Sequence, residues 1–177
     1  MGVDLTVPVG TVPAGGGILN IRAGAVIMKN GRILMVTSGD EGYFYSVGGR
    51  VRFGETAKEA VEREVYEETG VHIRAERLAF VHENLFMGDA GAAKGKPVYE
   101  IAFYYIMDVP EDFVPICKSV NCGGENERLE WISPDDERTI YPDFFRTELK
   151  DIPDGVKHFV TNELSDKVSC PEKSPKP

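Results

Sequence analysis

The sequence predicts an α/β domain, and three local patterns carry that expectation. A pair of apolar runs flanks an Asn-Gly turn near residue 30, a capped amphipathic helix follows at 56–69, and an alternating strand pattern runs from Val98 to Val109. With 177 residues, the chain suits one domain with a sizeable core rather than two.

Residues 1–16 are rich in Gly, Pro and Val and lack a helical period, which marks a flexible arm or an edge strand. Ala25-Val26-Ile27-Met28 and Ile33-Leu34-Met35-Val36 are apolar runs joined by Lys29-Asn30-Gly31-Arg32. Asn and Gly both accept positive φ, so this is a hairpin signal. A second short hairpin is expected within Tyr43 to Phe53, where Gly48-Gly49 marks a turn or a close backbone approach.

Thr56 followed three residues later by Glu59 forms a capping box, and Gly70 suits the left-handed position past the helix end. Ala57, Ala60, Val61 and Val65 supply the buried stripe between them. Strands are expected at Leu78 to Met87 and at Val98 to Val109. In the second, Tyr99, Ile101, Phe103, Tyr105 and Met107 share one face. Gly88 to Gly95 reads as a loop of small residues and Leu129 to Ser133 as another strand. Ser133-Pro134-Asp135-Asp136 has the form of a helix start. A short helix at Asp143 to Leu149 and a last strand at Val156 to Val160 complete the domain, 17–164. The polar segment 165–177 reads as a disordered tail.

Composition narrows the function classes. The formal charge of −9 disfavours a nucleic-acid-binding surface, which needs Lys and Arg against phosphates. Cys117, Cys122 and Cys170 match neither a zinc-ligand spacing nor an even disulfide set, as expected for reduced thiols. No charged-then-apolar leader pattern opens the sequence, and no apolar run nears the ~20 residues of a membrane span. The expectation is a cytoplasmic protein.

The chemistry concentrates on the helix. Glu64, Glu67 and Glu68 stand at i, i+3 and i+4, within one sector of its surface. Carboxylates so placed repel one another unless a cation lies among them. Oxygen-only ligands suit Mg²⁺ or Mn²⁺, hard ions that also bind phosphate oxygens. Such an ion reconciles an acidic protein with an anionic substrate. Taken alone, the same cluster also fits a solvated helix face.

The wider spacing separates these readings. Gly49, Glu55, Arg63-Glu64-Val65, Glu67-Glu68 and Gly70-Val71 resemble the Nudix box at each of its nine defined positions. The resemblance implies a mixed β-sheet sandwiched between α-helices. It also implies a pyrophosphohydrolase that acts on the phosphoric anhydride bond of a nucleoside diphosphate derivative, such as a nucleotide or nucleotide sugar. By the same resemblance, Glu64, Glu67, Glu68 and the Gly48 carbonyl hold the metal. Glu67 or Glu68 activates water, and Arg63 pairs with Glu55 to orient the carboxylates. Glu125 and Glu127 are the first candidates for an additional acid, ahead of Glu83 and Glu100.

Substrate-binding candidates are fewer in their marks. Arg22, Lys29, Arg50 and Arg52 are cations near the expected site, although surface solubility also accounts for them. Phe86, Tyr99 and Tyr105 suit either base stacking or the core, and Trp131 and His82 are assigned to structure. In the family, a Pro or a Tyr fifteen or sixteen positions past the box marks ADP-ribose or dinucleoside polyphosphate subclasses. Phe86 and Met87 stand there instead. Two alternatives remain: a nucleotide-sensing domain without turnover, and a diphosphate isomerase on the same fold, which needs a reactive Cys. A homodimer is common among similar proteins.

Overall fold

The Asn30-Gly31 turn forms as its residue types require, with φ of 52° and 71°. It joins β3 (Met28–Lys29) to β4 (Arg32–Ser38), with Met28 opposite Ile33. The computed structural model describes residues 6–9, 17–38, 42–89, 91–117 and 127–164. The expected tail, and Cys122, Glu125 and Cys170, lie outside them. Of the expected arm, Thr6–Val9 is described as β1, antiparallel to β2 (Gly17–Val26) at a sheet edge.

The described strands form two mixed sheets. The first runs in the order β1, β2, β8 (Pro97–Met107), β7 (Ala75–Met87) and β11 (Lys157–Asn162), with β6 (Gly48–Arg50) also paired to β2. Two of its pairings, β2 with β8 and β7 with β11, are parallel. The second sheet contains β10 (Thr139–Tyr141), β5 (Tyr43–Ser46), β4 and β3, with β9 (Glu127–Ile132) on the other side of β4. The chain passes from one sheet to the other at Ile27, whose carbonyl accepts from Leu34 N at 3.0 Å.

The expected hairpin at Tyr43 to Phe53 does not form. β5 pairs with β4 and β10, whereas β6 pairs with β2, so the two short strands enter different sheets. Val47 lies at the switch, buried, with its carbonyl accepting from Ala25 N at 2.8 Å. The helix expected to start at Ser133 is also replaced. Ser133 Oγ accepts from Asp135 N, and Asp136 Oδ1 from Arg138 N, closing a turn that leads into β10. Side-chain-to-backbone bonds of this kind serve turns as readily as helix starts.

β4 divides the interior. Leu34 and Val36 enter one buried cluster, which α1 (Ala57–Thr69) covers with Ala60, Val61 and Val65. Ile33 and Met35 enter the other, which α2 (Phe145–Glu148) closes with the buried Phe145. Helices therefore cover opposite sides of the sheet layer, as the fold class implies, with the layer split in two. Among the described residues, no helix is long and apolar enough to cross a membrane. His82 is structural: it is buried, contacts Thr161 Oγ1 at 2.9 Å and meets the Phe144 ring edge-on.

Candidate active site

α1 begins and ends where its sequence dictates. Thr56 Oγ1 accepts from Glu59 N, the Glu59 carboxylate accepts from Thr56 N, and Gly70 takes φ 71° with its N–H on Tyr66 O. The 13 residues between present Ala60, Val61, Val65 and Thr69 to the interior. Glu64, Glu67 and Glu68 consequently emerge beside β6.

Two glycines on β6 permit the approach. At Gly49, an added Cβ would stand 2.5 Å from the Glu64 carboxylate. At Gly48, φ is 136° and a Cβ would stand 2.2 Å from the Ala23 carbonyl. The Gly48 contact described is through its amide, which donates to Glu68 Oε1 at 3.2 Å.

Glu68 is buried, and its Oε2 has no hydrogen-bond partner. Burial pushes its carboxyl up to about 8. The charges of Glu127 and Glu64 add to that rise, while Arg22 and the Gly48 N–H oppose it. Burial also raises Glu64, against the hydrogen bond from Arg63.

Arg63 gathers the other carboxylates. Its Nε and Nη2 donate to the two Glu55 oxygens at 3.0 and 2.7 Å. Nη1 donates to Glu64 at 2.6 Å and Glu67 at 3.1 Å, and Nη2 also reaches the Arg50 carbonyl at 3.1 Å. Glu55 accepts from Arg52 N as well, and the Arg63 hydrogen bonds hold its carboxyl below the usual range. Arg52, expected to face substrate, pairs with Glu67 at 3.3 Å.

The donor set is suited to a hard divalent cation: carboxylate oxygens only, one of them buried without a partner. In the conformation described, Arg63 holds Glu64 and Glu67. No three His, Cys, Asp or Glu side chains among the described residues converge as a ready-made cage.

The second sheet brings a further carboxylate near Glu68. Glu127 accepts from the Tyr45 hydroxyl at 2.7 Å, and its charge reaches Glu68. Cys117, distant from the box in sequence, donates to the Glu127 carbonyl at 3.2 Å. Glu125 lies outside the described residues.

Other expected residues are placed elsewhere. Tyr99 bonds to Glu83, which also meets His158 at 2.8 Å. The register of β8 sets Tyr99 on the sheet face opposite Glu100. Phe86, opposite Val98, lies four residues along β7 from the His82–Ala102 pair. Neither has a described contact with the helix carboxylates. Arg50 donates to Asn20 Oδ1 at 3.2 Å.

In the sequence, Arg22 is one of several cations near the expected site. In the structure it is half-buried, donates to the Ser46 carbonyl at 2.9 Å and feels the charges of Glu100, Glu68 and Glu64. Its place between apolar Ile21 and Ala23 was the available signal, since alternation put it on the face opposite both.

A profile of the NUDIX domain matches residues 19–150, about three quarters of the chain. The chain belongs to the NUDIX domain family. A MutT-like protein from Streptomyces ambofaciens is 27% identical over 134 residues, covering 76% of each chain. Among solved structures, an ADP-ribose pyrophosphatase from Streptococcus suis aligns with TM-score 0.51 and 17% identity, over 80% of this chain and 98% of that one. A NUDIX hydrolase from Nitrosomonas europaea aligns with TM-score 0.54 and 14% identity, over 89% and 94%. At these identities the structural matches establish the fold. The family typically uses a divalent metal and acts on phosphorylated small molecules.

Proposed function

We propose that this NUDIX protein is a Mg²⁺-dependent hydrolase that cleaves the diphosphate linkage of a nucleoside diphosphate derivative. The carrying observation is Glu68, a buried carboxylate tied by one oxygen to Gly48 N, its other oxygen partnerless, beside Glu64 and Glu67. Burying such a group is costly unless a cation or a proton compensates it.

Glu64, Glu67, Glu68 and the Gly48 carbonyl would hold the metal, with Mn²⁺ as a substitute. The ion supplies charge neutralisation at phosphoryl oxygens and makes water more acidic. Arg63, clamped by Glu55, sets the directions of Glu64 and Glu67 and is a positioning residue. Glu67 or Glu68 accepts the proton of the attacking water. Glu127, fixed by Tyr45, is the additional acid across the cleft. Water oxygen joins one phosphorus, the bridging P–O bond breaks, and two phosphorylated products leave.

The test is phosphate-product release with Mg²⁺ and with Mn²⁺ over nucleotides, nucleotide sugars and dinucleoside polyphosphates. Glu64→Gln and Glu68→Gln are expected to reduce kcat by at least about 100-fold with the fold retained. Wild-type rates in both variants would refute the metal assignment. Binding without turnover across the panel would instead establish the sensing role. The thiol beside Glu127 gives the isomerase alternative its own check: Cys117→Ser should leave hydrolysis unaffected.

A further inference from the structure

Lys29 closes β3 and Arg32 opens β4, and the pairing of these strands sets the two cations directly opposite each other. Like charges in that position repel and destabilise a strand pair. Lys29 is held by the chain: its Nζ donates to the Glu111 carbonyl at 2.6 Å and to the Phe113 carbonyl at 3.3 Å. Arg32 is exposed and has no hydrogen bond or ion pair among the described residues.

Two aromatic rings border this pair of cations. Trp131 on β9 stands opposite Leu34, two residues on from Arg32, and alternation sets it on the same face. Its ring meets the buried Phe113 edge-on, with centroids 6.2 Å apart. Lys29, Asn30, Arg32, Phe113 and Trp131 together line a cavity of about 450 Å³, a size within the range of small-molecule sites. It stands apart from the catalytic carboxylates. Arg32 and Ser38 are opposite ends of β4, and Glu127, whose charge reaches Glu68, pairs with Ser38. Trp131 lies about 13 Å along β9 from Glu127 at the rise of a strand. Lys29, a cation expected near the helix carboxylates, has no described contact with them.

We propose that this cavity is a second ligand site, for a small aromatic ring bearing one anionic group, a phosphate or a carboxylate. The ring lies against Trp131, and the anion sits between Lys29 and Arg32, where it relieves their repulsion. The Arg32 guanidinium offers a two-pronged contact to such an anion, and Lys29 retains one N–H beyond the two carbonyls. A neutral ring would leave the cations facing each other, and a bare anion would leave the aromatic wall uncovered. This inference is independent of the hydrolase reading.

Trp131 is the single tryptophan of the chain, so its fluorescence reports this cavity. Adenosine 5′-monophosphate and nicotinate serve as anionic probes, with adenosine and nicotinamide as their neutral counterparts. Each is titrated into the full chain in a chelator, so that no divalent ion draws the nucleotide to Glu64 and Glu68. At least one anionic probe is expected to quench saturably and to bind about tenfold or more tightly than its neutral counterpart. Whichever does so identifies the anion as phosphate or carboxylate. Arg32→Gln should weaken that binding about tenfold, and Lys29→Gln should weaken it as well. Thermal unfolding confirms that each variant is folded; if Lys29→Gln is not, Arg32→Gln decides alone. Glu68→Gln should leave the quenching unchanged. No saturable quenching by either anionic probe, equal affinity for the neutral counterparts, or full affinity in Arg32→Gln would overturn the proposal. Loss of quenching in Glu68→Gln would overturn it too, by locating the ligand at the helix carboxylates.

Discussion

Glu68 is a buried acid whose protonation is coupled to folding. Its carboxyl is raised from an ordinary 4.5 to about 8, chiefly by burial. Between those values the folded chain retains a proton that the unfolded chain has released, so stability falls as pH rises through the window. Below it both states are protonated; above it both are ionised and the penalty is fully present. Thermal unfolding in a chelator should therefore show wild-type Tm declining from pH 5 to pH 8. Glu68→Gln should remove this contribution to the decline. Added Mg²⁺ should raise wild-type Tm most at pH 8, because the cation binds the folded carboxylate after its proton has left. Identical pH slopes in wild type and variant would contradict this account.

The helix that bears these carboxylates shows which elements a sequence declares. Its capping box, apolar stripe and terminal glycine lie within α1 or next to it, and all appear in the structure. Thr56→Ala removes the cap that satisfies Glu59 N and should cost about 1 kcal/mol of stability, read from the urea midpoint. The Asn30-Gly31 turn was legible for the same reason, since its dihedral requirements are local. β5 and β6 were not. Their lengths and the glycines between them suit a hairpin, but β2 and β4 compete for them as partners, and sequence proximity does not reveal that competition. The site divided along the same line. Glu55, Arg63, Glu64, Glu67 and Glu68 were legible through their spacing. Arg22 and Tyr45 come near it through pairings between distant strands.

At the scale of the molecule, the site depends on both sheets: Gly48 and Gly49 with α1 on the first, Tyr45 and Glu127 on the second. The two buried clusters do not share this task equally. The cluster under α1 contains Val61 and Val65 and fixes where the carboxylates emerge. The cluster on the other side of β4 is sealed by Phe145, whose ring lies 5.2 Å from that of Tyr104 and 5.3 Å from that of Phe144. Phe145→Ala opens a cavity there and should cost about 3–5 kcal/mol, measured by urea unfolding. It should leave kcat nearly unchanged below its own melting transition, because no residue of α1 packs in that cluster. Val61→Ala removes less volume, so its stability cost should be smaller. Yet it loosens the helix against β2 and β4, and misplacement of a catalytic group by about 1 Å is enough to lower turnover about 100-fold. Stability and kcat should thus rank the two variants in opposite orders, an inversion that a single uniformly coupled core would not produce.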